Sequence, residues 1–318
     1  MVTRADADGF RVGIAEPSGR VEKMSEPLAA VGIDLDIDPD RLDDVDVLVF
    51  DKPSRELFEA AISRVFRSPK VVYRMRGDVY SEYVTEGIPY PKRWLANEVL
   101  FRAVDGAVAI TQSYADLLAA RSGVHPTGVA GLAIDVGDWP RVDHEDDDLR
   151  LMTLTNANYR RKIQPIVDSA PLVDDVLGEG DVWRVCGAGK YEHVLREGLA
   201  SCERVSFEGF VDARAVLAES NAMVHLSELD GLPNSILEGL ASGLPVITND
   251  FTAIVEFGWP LVVTNGGHEL VEALAVARDP AWRRATGRAG RRYVAEHHTA
   301  EAVGQQYLDF FARVVDGA

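Results

Sequence analysis

The stretch AMVHLSELDGLPNSILEGLASGLPVITND, residues 222–250, decides the fold of this chain. Two apolar runs within it, AMVHLS (222–227) and LPVITN (244–249), are rich in Val and Ile and are predicted strands. Between them a short helix is predicted over 235–242, with Asn234 as its N-cap. A strand, a helix and a second strand in this order form a parallel crossover, so the sequence predicts an α/β protein.

The same alternation continues on both sides of this stretch. Further strands are predicted at 11–17, 33–37, 45–50, 70–75, 106–111, 149–155, 181–187, 204–209 and 260–264. Further helices are predicted at 54–66, 94–104, 113–120, 162–178, 190–200, 212–220, 267–277, 280–296 and 300–315. Strands that alternate with helices form parallel sheets covered on both faces.

An acidic segment over 134–149 interrupts this alternation and contains a proline, which is typical of a linker. The sequence therefore predicts two Rossmann-like domains, an N-terminal one over 1–140 and a C-terminal one over 149–296. A closing helix in 297–318 is expected to pack back on the N-terminal domain. Open parallel sheets bind ligands beyond the carboxyl ends of their strands, so the cleft between two such domains is the expected site.

The composition excludes several classes of protein. With 318 residues, 47% of them hydrophobic, the chain can form two domains with their own cores. The 33 basic and 51 acidic residues give a net charge of −18, which disfavours binding to nucleic acid. Only 6 of the basic residues are lysine. Such a surface is typical of a halophilic archaeal source, and an acidic protein of a GC-rich mesophile is the alternative.

The cysteines and histidines offer no framework for disulfides or metals. Two cysteines, Cys186 and Cys202, cannot form a disulfide framework or a four-cysteine zinc site. The histidines have no ligand spacing, and His225 alternates within a predicted strand and is assigned to the core. The N-terminus lacks the apolar region of a signal peptide, and no apolar run approaches the ~20 residues that cross a bilayer. We therefore expect a cytoplasmic location.

Two carboxylates and a helix N-terminus could together hold a phosphate-bearing ligand. Asp230 lies in the loop before the helix predicted over 235–242, and Glu238 lies within that helix. Free amides in the first turn of a helix bind anions, and carboxylates accept hydrogen bonds from vicinal hydroxyls. Taken alone, these residues are explained more simply by a capped structural helix.

A resemblance to a known family changes that interpretation. The stretch resembles the donor-site signature of family 4 glycosyltransferases, which have the GT-B fold of two facing Rossmann-like domains. Here the signature stands as Asp230, Gly231, Leu232, Pro233, Asn234 and Glu238, followed by GLASGLPVI (239–247). From 149 to about 315 the resemblance is nearly continuous, through DVWRVCGAGKYEHVL (181–195) and RVSFEGFVD (204–212). Over 1–140 it is weaker and rests on ITQSYADLLAARSG (110–123).

The resemblance implies a role for each residue of this signature. Glu238 would hold the ribose hydroxyls of a nucleotide, and Asp230 would contact the transferred sugar. The amides near Asn234 and Ser235 would hold the diphosphate. The other residues implied in donor binding are Gly231, Pro233 and Gly187.

The expected phosphate contacts depart from the family's pattern. Members usually have a Gly-Arg-x-x-x-x-Lys motif after the first strand of this domain. The segment LTNANYRRKIQPI (154–166) keeps the lysine as Lys162 but has Ala157 at the position of the arginine. Arg160 or Arg161 could replace that arginine. Lys162 is therefore the best candidate, with Asp230, for a catalytic role, and a solvated helix start is the alternative for 160–162.

The first half lacks the histidine that retaining members of the family often carry there. The corresponding region, VVYRMRGDVYSEY (71–83), has Arg74, Arg76 and Asp78 instead. An arginine at the carboxyl end of a strand can bind phosphate, so Arg76 and Asp78 are candidates for contacts with an acceptor or a phosphate. An Arg–Asp pair that stabilises the turn is an equally good interpretation.

The resulting hypothesis is transfer of a sugar from a nucleotide-diphosphate sugar to an acceptor hydroxyl, with retention of configuration and without a metal or other cofactor. A cell-envelope, lipid-linked or glycoprotein glycan is the expected acceptor, with peripheral association at the inner face of a membrane as an option. Two alternatives within the same fold are a non-catalytic partner subunit and a nucleotide-sugar 2-epimerase. No motif identifies the base, the sugar or the oligomeric state.

Overall fold

A computed structural model describes residues 10–15, 22–37, 45–51, 56–57, 59–60, 69–77, 101–142, 146–251 and 259–317. The chain divides into two compact units. Unit 1 comprises 1–133 and 298–318, and unit 2 comprises 134–297.

Unit 1 is built on a parallel sheet. Its strands are β1 (Val12–Ala15), β2 (Leu35–Ile37), β3 (Val47–Phe50), β4 (Lys70–Met75), β5 (Gly106–Ala109) and β6 (Thr127–Val129). In the described residues they form six parallel strands in the order β2-β1-β3-β4-β5-β6. The order reverses between β1 and β3, where the connections leave the sheet in opposite directions.

Unit 2 is built on a second parallel sheet. Its strands are β7 (Arg150–Asn156), β8 (Val182–Ala188), β9 (Val205–Gly209), β10 (Ala222–His225), β11 (Val246–Asn249) and β12 (Val262–Thr264). The described residues form six parallel strands in the order β12-β11-β10-β7-β8-β9. Counted within the unit this is the strand order of a Rossmann fold, and it reverses between β7 and β10.

Helices connect the strands in both units. They are α1 (Glu22–Ala30), α2 (Gln112–Ser122), α3 (Arg160–Val176), α4 (Glu192–Gly198), α5 (Ala213–Glu219), α6 (Asn234–Ala241), α7 (Gly267–Ala277), α8 (Pro280–His297) and α9 (Ala300–Asp316). There is also a helical turn at Phe101–Ala103 and a 3₁₀ turn at Val136–Asp138. No helix in these ranges is both long and apolar enough to span a membrane.

Apolar residues at strand and helix positions form one core in each unit. All four residues of β3 and all four of β10 are buried, as expected for central strands of a parallel sheet. In unit 1 the closing helix α9 packs against α1 and buries Tyr307 and Phe311. This packing is close, because a Cβ added at Gly304 would lie 2.0 Å from the carbonyl oxygen of Pro27.

The segment that the sequence predicts as a linker, 134–149, belongs to unit 2. The amide of Val142 donates to the carbonyl of Ser242, and Arg291 Nη2 donates to the carbonyl of Val136 over 2.8 Å. These hydrogen bonds attach Val136 and Val142 to the rest of unit 2.

Every strand predicted from the sequence is present, but the structure adds elements that the sequence pattern does not predict. Strand β6 is one, because its three residues include only one that is buried. Helix α1 is another, because Pro27 within it reads as a helix breaker. Most of the helices predicted at 54–66 and 94–104 lies outside the described residues.

Candidate functional site

The candidate site lies where the strand order of unit 2 reverses. Residues that follow β7 and residues that follow β10 flank the same crevice, because these neighbouring strands send their connections in opposite directions. Lys162 lies in the first turn of α3, which follows β7, and Asp230 lies in the loop that follows β10. The two predicted catalytic residues are thus brought together from positions 68 residues apart.

Asp230 is held between two basic side chains. One carboxylate oxygen, Oδ1, pairs with Lys162 Nζ, and the other, Oδ2, lies 3.3 Å from His225 Nε2. The side chain of Asp230 is 10% exposed and that of His225 is 6% exposed, whereas Lys162 is 21% exposed. Lys162 therefore has the best access to solvent among the three.

The pKa of Asp230 reflects this arrangement. Burial by itself raises the pKa, but the contact with His225 and then the charge of Lys162 outweigh that effect and lower the pKa to about 2. Asp230 is consequently ionised at neutral pH. A carboxylate in this state accepts hydrogen bonds from hydroxyl groups and donates none.

His225 is the site residue that sequence reasoning missed. It is the last residue of β10 and is buried, as predicted for a core position. Its ring nonetheless contacts polar groups on both sides, since Nδ1 lies 3.4 Å from Ser235 Oγ. Its place at the carboxyl end of a strand, five residues before Asp230, is the signal that could have identified it.

Helix α6 presents its N-terminus beside this cluster. The helix begins at Asn234 with Pro233 as its N-cap, and no side chain among the described residues caps it. The prediction that Asn234 is the cap was wrong, because the fixed φ of proline already ends the loop at Pro233. The first amides, near Asn234 and Ser235, thus remain uncapped by side chains and suit an anion.

The other signature residues shape the approach to this helix. Gly231 and Pro233 are buried in the loop before it, and Glu238 is half-buried on α6. Ser227 and Asn249 hold the ends of β10 and β11 together through two hydrogen bonds of 2.8 Å. The loop is therefore anchored at its start.

Arg161 anchors the same loop. Its carbonyl accepts a hydrogen bond from the amide of Glu228 over 3.0 Å, and its Nη2 donates to the carbonyl of Glu228 over 3.2 Å. The guanidinium also lies 3.6 Å from the Glu228 carboxylate. In this structure Arg161 is engaged with the loop that carries Asp230.

Ala157 and Gly187 have clear structural roles. Ala157 is fully buried, and its amide donates to the carbonyl of Ala188 over 3.0 Å. A Cβ added at Gly187 would lie 2.2 Å from the carbonyl oxygen of Thr155, so the contact between β7 and β8 requires glycine there. The role of Gly187 in donor binding stays a prediction.

The first half of the chain contains candidates for contacts with an acceptor or a phosphate, and the described ones lie in unit 1, at the carboxyl end of its sheet. Asp51 directly follows β3, and Arg74 Nε lies 3.2 Å from its Oδ1. Arg76, which directly follows β4, lies 4.0 Å from Oδ2 of the same carboxylate and is 31% exposed. Asp78 lies outside the described residues.

Comparison with known proteins agrees with this architecture. Residues 149–281 match the family model described as glycosyl transferases group 1. The chain is also similar to the ORF31 protein of a virus (isolate Australia/Victoria), whose name assigns it provisionally as a glycosyltransferase. The two are 35% identical over 308 residues, which cover 96% of this chain and 97% of the viral protein.

Solved structures share the fold at low sequence identity. Sucrose-phosphate synthase from Thermosynechococcus elongatus has a TM-score of 0.76 at 14% identity, over 97% of this chain and all of that one. Anabaena Alr3699/HepE, crystallised with UDP and glucose, has a TM-score of 0.71 at 14% identity, over 95% of this chain and 99% of that one. The chain spans only 55% of the length of S. aureus TarM.

These likenesses confirm the predicted fold class, two parallel α/β domains of the GT-B type. The relationship to the viral protein covers nearly the whole chain, and the family model covers the unit that carries the Lys162–Asp230 pair. The chain therefore belongs to the group 1 glycosyl transferases.

Proposed function

We propose that this protein transfers a sugar from a nucleotide-diphosphate sugar to an acceptor hydroxyl, with retention of the anomeric configuration, as expected for family 4 glycosyltransferases. The observation that carries the proposal is the buried Asp230 paired with Lys162, beside the uncapped N-terminus of α6. A cation, a helix N-terminus and a carboxylate in one crevice match the parts of such a donor: a diphosphate and a polyhydroxylated sugar.

Each side chain has a role in this proposal. Glu238 accepts hydrogen bonds from the ribose hydroxyls, and the amides of Asn234 and Ser235 bind the diphosphate. When the donor binds, Lys162 releases Asp230 and pairs with the diphosphate instead. Asp230 is then free to accept hydrogen bonds from the sugar, while His225 holds its carboxylate in place.

Transfer breaks the bond between the anomeric carbon and the diphosphate oxygen and forms a bond to the acceptor oxygen. Negative charge grows on the departing diphosphate, where Lys162 and the helix amides stabilise it. The proton of the acceptor hydroxyl passes to that diphosphate, so no separate protein base is needed. We expect this chemistry to proceed without a metal ion.

The proposed identities of the nucleotide and of the acceptor have less direct support. The HepE structure contains UDP and glucose, and a TarM structure contains UDP, which makes UDP the first base to test. For the acceptor we propose a glycan or a lipid-linked glycan, with Arg76 and Asp78 of unit 1 as candidates for its binding. A cytoplasmic location with peripheral membrane association would suit such an acceptor.

The test is turnover of UDP- and GDP-linked sugars. NMR monitors the reaction, with and without a chelator that removes metal ions. The wild type should release nucleoside diphosphate and give a product of unchanged anomeric configuration, also in the chelator. Lys162→Ala should reduce this turnover by about 10²–10³-fold, because it removes a charge that stabilises the transition state. Lys70→Ala is the control, since Lys70 forms a comparable ion pair, 3.6 Å from Asp105, in unit 1.

An inverted product would contradict retention, and equal loss in both lysine variants would contradict the role of Lys162.

A second candidate function, the non-catalytic partner subunit, is favoured by one observation. The position of the family's arginine is taken by the fully buried Ala157, and Arg161 is engaged with Glu228. Nucleotide binding without turnover of any donor would support that candidate, and conversion of the donor to its 2-epimer would support the epimerase.

A further inference from the structure

Unit 2 contains a second concave site, which we call the arginine pocket. Its volume is about 810 Å³, within the range of small-molecule sites. No acidic residue is among the described residues that line it, and its other lining residues are glycine, alanine and valine. Five arginines line it: Arg141, Arg284, Arg288, Arg291 and Arg292.

The pocket is remote from the Lys162–Asp230 pair in the topology of unit 2. Its lining residue Gly243 lies between α6 and the start of β11, and Arg141 precedes the start of β7. These positions are at the amino ends of the strands. Lys162 and Asp230 follow the carboxyl ends of β7 and β10, so the two sites lie at opposite edges of one sheet.

Helix α8 carries most of the positive charge. Arg284, Arg288 and Arg292 recur every four residues and therefore share one face of the helix. Arg291 braces the wall of the pocket, because it donates to the carbonyls of Ala241 and Val136. Like charges four residues apart destabilise a helix, so this face has an electrostatic cost in the free protein.

No ion pair with a carboxylate neutralises this face in the described part of the chain. The side chains of Arg141, Arg284, Arg288 and Arg292 form no ion pair and no hydrogen bond there, while Arg150, Arg184 and Arg278 are each paired with a carboxylate. Burial lowers the pKa of Arg291, and the positive charge of Arg141 lowers it further, which places Arg141 near Arg291. The negative charge of Asp135 raises the pKa of Arg291. An unneutralised cluster is unexpected in a chain of net charge −18.

We propose that the arginine pocket binds a phosphate-bearing anion, a free diphosphate first among them, separately from the donor site. Guanidinium groups bind phosphate oxygens in a bidentate manner, and several can share one multiply charged anion. The concave shape and the small lining residues admit a group that enters the pocket. None of the exposed large hydrophobic side chains of the described residues lines it, so insertion of the pocket's rim into a bilayer is disfavoured.

The test is calorimetric binding of inorganic pyrophosphate in low-salt buffer. The triple variant Arg284→Gln, Arg288→Gln, Arg292→Gln should lose at least about tenfold in affinity for one pyrophosphate, since each bidentate pair contributes to binding. The control triple variant Arg11→Gln, Arg196→Gln, Arg313→Gln changes the net charge equally at exposed sites outside the pocket and should retain that affinity. Lys162→Ala should retain it as well, which separates this site from the donor site.

A second experiment distinguishes a free phosphate ligand from a lipid headgroup. It measures sedimentation of the protein with phosphatidylglycerol vesicles and with phosphatidylcholine vesicles. Arginine-dependent binding of free pyrophosphate supports a soluble ligand, and arginine-dependent binding of the phosphatidylglycerol vesicles alone supports a lipid headgroup. The proposal is overturned if the wild type binds neither probe, or if the control triple variant loses as much affinity as the pocket variant. Circular dichroism of both triple variants checks that the helix content of the protein is unchanged.

Discussion

The two units of this protein each place an aspartate between two basic side chains at the carboxyl end of a parallel sheet. In unit 2 Asp230 lies between Lys162 and His225, and in unit 1 Asp51 lies between Arg74 and Arg76. Yet their access to solvent differs. Lys162 is 21% exposed, whereas Asp51 is 1% exposed and its nearer partner, Arg74, is 2% exposed.

This difference separates two uses of the same arrangement. Arg74 cannot exchange Asp51 for a ligand without leaving a buried carboxylate short of its nearer counter-charge, so we expect this pair to act in folding. Lys162 can turn from Asp230 toward a phosphate in the crevice beside α6, which is the functional role that we propose for that pair. The contrast between a structural and a functional ion pair leads to four predictions.

The largest effect is expected at the buried pair. Asp51→Asn leaves the Arg74 guanidinium buried without its counter-charge, which should lower the free energy of unfolding by about 3–5 kcal/mol. Urea unfolding measures this loss. Asp46→Asn is the control, because Asp46 pairs with Arg11 at the surface and should cost less than about 1 kcal/mol. Equal losses in both variants would contradict a buried structural pair in unit 1.

The same substitution in unit 2 should mainly affect catalysis. Asp230→Asn removes the charge that we propose positions the sugar, so transfer should fall by about 10²–10³-fold. Initial rates with a nucleotide sugar measure this effect. Glu228→Gln, on the same loop but half-exposed, should change the rate less than about threefold. An Asp230→Asn enzyme with normal rates would remove the functional half of the comparison.

The pH dependence of stability should follow Asp230. Its folded pKa of about 2 lies below the unfolded value of 3.8, so the ionised carboxylate stabilises the folded state above pH ~4. That contribution, about 2 kcal/mol, is lost as the pH falls from about 4 to about 2. Chemical unfolding at several pH values in this window measures it. Asp230→Asn should lose this part of the pH dependence, and an identical profile in both proteins would contradict the lowered pKa.

The smallest effect is expected at the half-exposed arginine of unit 1. Arg76→Gln removes a candidate acceptor contact and should raise the KM for the acceptor by about tenfold, equivalent to ~1.4 kcal/mol. Hydrolysis of the donor in the absence of acceptor should not change. Steady-state kinetics with both substrates separates the two. A raised KM for the donor would assign Arg76 to a phosphate of the donor, and no change in either KM would assign it to the turn.

The fold of unit 2 and most of its site could be predicted from the sequence, because both depend on local patterns. Buried strands such as β10 are apolar runs, and the residues from Asp230 to Glu238 form one contiguous signature. Lys162 could be found because it stands at the lysine position of the family's motif after the first strand of this unit.

The remaining features depend on contacts between distant residues. His225 has the pattern of a core residue, and only the structure shows that its ring contacts Asp230 and Ser235. The pairing of Arg74 with Asp51 joins two strands, and the arginine pocket joins α8 to segments more than 100 residues away in the chain. No local pattern in the sequence reports such contacts.

The most direct test of the donor site is calorimetric binding of UDP and GDP in molar KCl, with and without magnesium, to the wild type, Glu238→Ala and Glu272→Ala. Glu272 is a control of the same type, because it is an exposed helical glutamate on α7. We predict that the wild type and Glu272→Ala bind one of the two nucleotides equally well, without a need for magnesium, and that Glu238→Ala, still folded, does not bind it. Undiminished affinity in Glu238→Ala would contradict the placement of the nucleotide on α6 of unit 2.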